Sequence, residues 1–278
     1  MRSLGMKTAN ERRYRPEQMA AHERATQPQA EVEEQVEVLG TRIRCLRTHE
    51  VLEQLLAMVS GERAHSVYIV NAATLNLAYE NPLYRAVLNR GDLVLNDGTG
   101  VRWAARVQGV RLADNNVGTD LVPMLCEQAA SRGLRLYLIG GAPKTVERAG
   151  RCLMSRFPGV DVVGMQHGYF LPSEEDAICT DIVTRDPDVV LVGMGNPLQE
   201  WLIDRHLAHL KRGEVIGVGG LFDHLADNLR RAPLWVRQAG FEWAQILWQQ
   251  PYKWRRYLLG NPLFLYRMRF GHPREGRS

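Results

Sequence analysis

The chain has little cysteine chemistry to offer. Cys45, Cys126, Cys152 and Cys179 are far apart, with no CxxC or metal-type spacing, so a disulfide framework and a zinc module are both excluded as readings. They read as reduced thiols of a cytoplasmic protein. No apolar h-region occurs in the first forty residues, which argues against a secretory signal. No uninterrupted apolar run approaches the ~18–20 residues that a spanning helix requires. Internal repeats are missing, and nothing in the body is low-complexity. A soluble or peripheral protein is expected.

Two nucleotide fingerprints are also missing. No GxGxxG follows the first strand with an acid about twenty residues on, which weighs against an NAD-type oxidoreductase, and no P-loop occurs. His206 and His209 lie three apart on one helix without a third ligand. They read as solvent-facing, and no structural metal is expected.

What is present is unevenly distributed. Of 278 residues, 45% are hydrophobic and 24% charged, enough to bury a sizeable core. The net charge is only +4, but residues 229–278 hold ten Lys and Arg against two Glu, so this segment carries +8 and the remainder −4. Four of the six tryptophans (Trp235, Trp243, Trp248 and Trp254) lie in the same segment. A cationic, aromatic tail points to an anionic partner. Its aromatics fall on short amphipathic helices: Pro233–Gln250, Tyr252–Leu259 and Leu263–Phe270. That pattern fits a membrane interface better than nucleic acid, for which stacking platforms on a sheet would be expected.

Residues 1–35 are polar and mixed in charge, and predict a disordered or loosely helical extension. A body over 36–228 follows, with the basic aromatic appendage over 229–278. In the body, strands are predicted at Val36–Leu39, Ile43–Arg44, Ser66–Asn71, Leu93–Leu95, Leu134–Ile139, Val160–Val163, Val189–Val192 and Val215–Val218. Helices are predicted at His49–Ser60, Ala73–Asn89, Gly98–Val107, Thr119–Arg132, Lys144–Phe157, Ser173–Thr184 and Pro197–Leu210. Alternation of this kind specifies an α/β fold, a mostly parallel, Rossmann-like sheet with helices on both faces.

The strands end in small or polar turns that would share one sheet edge, where open α/β sheets bind ligands. Asn96-Asp97-Gly98 places a carboxylate there. Asp97 is a candidate general base, hydroxyl ligand or metal ligand, with helix capping as the structural alternative. Gly140-Gly141-Ala142-Pro143 resembles a phosphate cradle, since Pro143 suits a first helical position. In Gly193-Met194-Gly195-Asn196-Pro197-Leu198-Gln199-Glu200, Gln199 sits in a first helical turn and can grip hydroxyls. Glu200 is expected to act through the helix dipole. Tyr169, in His167-Gly168-Tyr169-Phe170, is a candidate for stacking on a base or bonding a sugar, with core packing as the alternative.

In order, these words resemble the TagA–WecG–CpsF family of bacterial glycosyltransferases. The match runs through Asn71, Asn96–Gly100, Gly118–Leu121, Tyr137–Pro143, His167–Phe170, Asp188–Trp201, Gly217–Asp223, Arg231–Pro233, Glu242-Trp243 and Arg256-Tyr257, from about Val36 to Phe270. The resemblance implies inverting, metal-independent transfer from a UDP-sugar, of the N-acetylmannosamine type or a related hexose, without a cofactor. The acceptor would be a polyprenyl-diphosphate-linked saccharide at the cytoplasmic membrane face, in synthesis of a cell-surface polysaccharide or teichoic-acid-type polymer. Asp97 falls on the proposed base. Asn71, Gly98, Gly140, Gly141, Tyr169, Gly195, Gln199, Gly219, Gly220 and Asp223 fall to the donor, and Arg231, Lys253 and Arg256 to acceptor or diphosphate. The appendage would dock on anionic membrane and close over the site. Three positions depart from the family pattern: Ile69 replaces a hydroxyl residue, while Asn115 and Ile246 stand where arginines are usual. A membrane-attached nucleotide-sugar-binding module without catalysis is the competing reading, and a homo-oligomer is compatible with either.

Overall fold

The computed structural model describes residues 35–110, 112–233, 236 and 242–271. Apart from Gln35, the N-terminal extension lies outside the described residues, as does much of the first half of the Pro233–Gln250 segment. Six strands form one sheet: β3 (Ala64–Val70), β4 (Leu93–Asn96), β5 (Arg135–Gly140), β6 (Asp161–Gln166), β7 (Val189–Gly193) and β8 (Gly213–Gly217), in the order β4-β3-β8-β7-β5-β6. Every pairing is parallel. β4, β7 and β8 are buried along their whole length, because parallel strands are covered on both faces.

The earlier strands, β1 (Gln35–Val38) and β2 (Thr41–Arg44), form a separate antiparallel hairpin. Leu39 and Gly40 turn it with φ of 51° and 81°, the double positive-φ geometry whose twist suits a two-residue hairpin.

Alternation along the strands creates two cores. Val67, Ile69, Leu136, Leu138, Val189 and Leu191 face α1 (Thr48–Val59), α5 (Gly118–Arg132) and α6 (Pro143–Arg156). Tyr68, Val70, Tyr137, Ile139, Val190 and Val192 face α2 (Ala72–Glu80), α3 (Pro82–Arg90), α4 (Thr99–Val107), α7 (Glu175–Arg185) and α8 (Leu198–His206). The single helix expected over Ala73–Asn89 is two. Pro82 cannot continue a helix, and Asn81 accepts from the N–H groups of Leu83 (3.0 Å) and Tyr84 (3.1 Å), capping a new one.

The chain beyond Leu229 is helical at Glu242–Gln249 and, after a 3-10 turn at Pro251–Lys253, through a π-helical stretch over Arg255–Leu259 that runs straight into Gly260–Phe270. Gly260-Asn261-Pro262, read from sequence as a stop, lies inside a continuing helix instead, where π geometry gives way to α. Phe264, only 1% exposed, joins the second core. Asn76 on α2 donates to the Gly260 carbonyl (2.8 Å), and Arg267 bonds the Asn76 carbonyl oxygens, pairs with Glu80 and lies over the Tyr79 ring.

Glu214 on β8 is fully buried, and neither carboxylate oxygen has a hydrogen-bond partner among the described residues. Burial pushes its carboxyl well above the ordinary glutamate range. The folded chain therefore holds the proton while the unfolded chain releases it, so this site costs stability increasingly as pH rises above the unfolded value. Glu214→Gln is expected to raise the melting temperature more at pH 8 than at pH 5. Equal shifts at both pH values, measured by calorimetry, would show the carboxyl to be ionised in the fold.

Candidate functional site

The strand connections leave β5 and β7 in opposite directions, toward β6 and β8, so the sheet has its switch point there. Above that edge lies an open crevice of about 830 Å3, at the upper end of the range for small-molecule sites. Asn71, Asp97, Gly141, Tyr169, Gly195, Gln199, Gly219, Gly220, Asp223, Lys253 and Arg256 all line it.

Asp97 is held by backbone: its N–H donates to the Val70 carbonyl (2.8 Å), extending the β3–β4 ladder one step beyond Asn96. Gly98 follows at φ 90° and occupies the cap position of α4. Its N–H donates to Asn115 Oδ1 (2.7 Å), so Asn115 pins the turn that presents the carboxylate. Asn71, at the end of β3, caps α2 by accepting from Ala73 (3.1 Å) and Thr74 (3.2 Å) N–H. A ligand contact from Asn71 thus falls to its amide nitrogen.

The glycine turns are packed closely. A Cβ on Gly140 would lie 2.3 Å from the Gly193 carbonyl oxygen, and Gly141 donates to that same oxygen (3.0 Å) at φ 62°. Gly140 serves close approach of the two turns, and Gly141 faces the crevice. Tyr169 stands at the rim, 78% exposed, so the core-packing alternative for it does not hold.

Gln199 and Glu200 form a buried network that sequence reading did not anticipate. Gln199 Oε1 accepts from the N–H groups of Gly195 (3.2 Å) and Gly219 (3.0 Å), tying the β7 and β8 turns together. Its Nε2 donates to Glu200 Oε1 (2.8 Å), which also accepts from Asn196 Nδ2 (2.6 Å), and Tyr84 OH donates to Glu200 Oε2 (3.0 Å). Glu200, in the first turn of α8, is therefore also a buried acceptor for three donors. Burial raises its carboxyl, and those donors oppose the rise. An acid in the first turn of a helix gives no sequence sign of this, because Tyr84 comes from a helix 116 residues earlier.

Lys253 and Arg256 line the same crevice as Asp223 and His224. Burial first, and then Arg256, lower the Lys253 ammonium, against the pull of Asp223. Burial also lowers His224, whose Nδ1 lies 3.0 Å from the Leu229 carbonyl oxygen. His224 carried no motif of its own and was missed. Arg231 does not line the crevice: it pairs with Asp120 on α5. His206, expected in solvent, is half-buried with Nε2 2.6 Å from Glu175.

Among the described residues, no helix is long and apolar enough to cross a membrane. Residues 36–276 match the model of the glycosyl transferase WecG/TagA/CpsF family. A Bacillus spizizenii protein is 32% identical over 181 residues, 65% of this chain and 70% of that one. A Bacillus subtilis protein is 27% identical over 213 residues, 77% and 79% of the two chains. A Staphylococcus aureus protein is 27% identical over 237 residues, 84% and 91%. Each of these relatives is named an N-acetylglucosaminyldiphosphoundecaprenol N-acetyl-beta-D-mannosaminyltransferase.

Proposed function

The chain belongs to the WecG/TagA/CpsF glycosyltransferase family, and from that premise we propose that it moves N-acetylmannosamine, or a related hexose, from UDP to a polyprenyl-diphosphate-linked saccharide. The observation that carries this reading is one crevice lined both by an edge carboxylate, Asp97, and by the cations Lys253 and Arg256. Asp97 takes the proton of the acceptor hydroxyl as that oxygen attacks the anomeric carbon. The bond from that carbon to the UDP diphosphate breaks, and UDP departs with the electron pair. A single displacement of this kind inverts the anomeric centre.

Charge developing on the departing diphosphate meets Lys253 and Arg256 beside the Gly220 turn, since the N–H groups of Gly141 and Gly219 are taken by the Gly193 carbonyl and Gln199. Gln199, buttressed by Glu200, keeps the two glycine turns at fixed separation, and Tyr169 is placed to cover the donor. The tail supports an acceptor held at the inner face of an anionic membrane. Trp248 (84% exposed), Trp254, Leu258, Tyr266 and Phe270 are exposed beside Arg255 and Arg269, apolar surface with arginines at its margin.

The test uses the purified full-length chain, UDP-N-acetylmannosamine and other UDP-hexoses, and a short-chain polyprenyl-diphosphate N-acetylglucosamine. A disaccharide-lipid is expected that survives chelator and has inverted linkage. Rapid transfer to free N-acetylglucosamine, with no gain from the lipid diphosphate, would refute the acceptor assignment.

A further inference from the structure

Helix α4 begins two residues after Asp97, and one of its faces is used neither by the crevice nor by the core. Val101, Ala104 and Ala105 are buried, whereas Trp103 and Val107 are 45% and 47% exposed, with Arg106 exposed next to them. At ~100° per residue, Gly100, Trp103 and Val107 fall on one stripe of the helix. Gly100 shows which neighbour that stripe borders: a Cβ there would lie 3.4 Å from Ala72 Cβ and 4.0 Å from the Phe264 ring. Phe264 is the buried anchor of the last helix, whose outer side exposes Leu263, Leu265, Tyr266 and Phe270. The first turn of α4 therefore adjoins the last helix at Phe264, and Arg102 and Arg106 lie along one margin of the exposed Trp103–Val107 stripe that follows.

We infer that α4 is a second membrane-contacting element, with Trp103 and Val107 entering the interface of an anionic bilayer and Arg102 and Arg106 at headgroup level. This rests on the reading that the C-terminal segment meets a membrane. Lipid suits the stripe better than a protein partner because its make-up matches the adjoining face: aromatic and aliphatic side chains with arginines alone as flanking charges. Nine residues rise only ~13 Å, too short to span but sufficient to lie in the interface. The consequence is positional. A bilayer held against Val107 fixes Asp97 within roughly that distance of the headgroups, the depth at which a saccharide next to a lipid diphosphate is presented.

The experiment is co-sedimentation of the full chain with phosphatidylglycerol/phosphatidylcholine vesicles and with phosphatidylcholine alone, at low and high salt. The double variant Trp103→Glu/Val107→Glu is expected to lose tenfold or more in partitioning to anionic vesicles, and Trp103→Phe to retain it. Both should keep wild-type kcat/KM, within about twofold, on a detergent-free short-chain acceptor, and an unchanged melting temperature. Arg102→Ala/Arg106→Ala, which adds no charge to an apolar stripe, tests the same surface should the first variant not fold. It should lose affinity for anionic vesicles only. Wild-type binding retained by these variants overturns the inference while leaving the C-terminal contact intact. Failure of the wild type to bind any vesicle overturns both. A wild-type dimer that Trp103→Glu/Val107→Glu makes monomeric, with vesicle binding unchanged, assigns the stripe to a second copy of the chain and likewise overturns it.

Discussion

Asp97→Asn is expected to lower kcat by about 10²–10⁴-fold while changing donor affinity little, the usual weight of a positioned general base. The substitution keeps size and hydrogen-bonding capacity but removes the ability to take a proton. Helix capping made a rival account of this residue from sequence. In the structure Gly98 occupies the cap position, and Asp97 is held by a main-chain bond to Val70 that asparagine keeps. The melting temperature should therefore stay within a few degrees of wild type. Steady-state turnover with UDP-sugar and lipid acceptor, beside calorimetric donor binding, separates the terms. A folded variant with near-normal turnover would return Asp97 to a structural part and favour the non-catalytic binding module.

Much of this site was legible because parallel α/β sheets make local signals coincide. Each apolar run ending in Gly, Asn or Asp marks a strand's carboxyl end, and six such ends on one edge bring Asn71, Asp97, Gly141, Gln199 and Asp223 together without knowledge of any long-range contact. What stayed hidden depends on partners remote in sequence. Glu200 has the same local setting as any first-turn acid, and its burial comes from Tyr84 and Asn196. Arg231 sits in a matching motif, yet Asp120 on α5 takes its guanidinium. Phe264 reads as one more apolar residue of an amphipathic tail, and only the gap between α2 and α4 makes it a core residue. The Asn81-Pro82 break is itself a local signal, because asparagine caps a helix and proline suits its first position.

The docking of Phe264 also decides how the cationic wall is best probed. Deleting the tail would uncover core, so the informative changes are single charges within the intact chain. Arg256→Glu should lower kcat/KM by about 10²-fold or more. It removes a charge-assisted contact of ~1.5–3 kcal/mol and sets a carboxylate against a diphosphate in its place. Lys253→Glu should act in the same direction. Lys253 adds a pH signature, since burial and the neighbouring Arg256 lower its ammonium below the ordinary lysine value. Its charge is lost on the alkaline side sooner than that of a free lysine. The alkaline fall of kcat/KM is thus expected to move to higher pH in Lys253→Arg, whose guanidinium does not deprotonate in that range. Two results would remove Lys253 and Arg256 from the diphosphate: an alkaline limb that stays in place in Lys253→Arg, and an Arg256→Glu enzyme whose kcat/KM falls only as far as its vesicle binding.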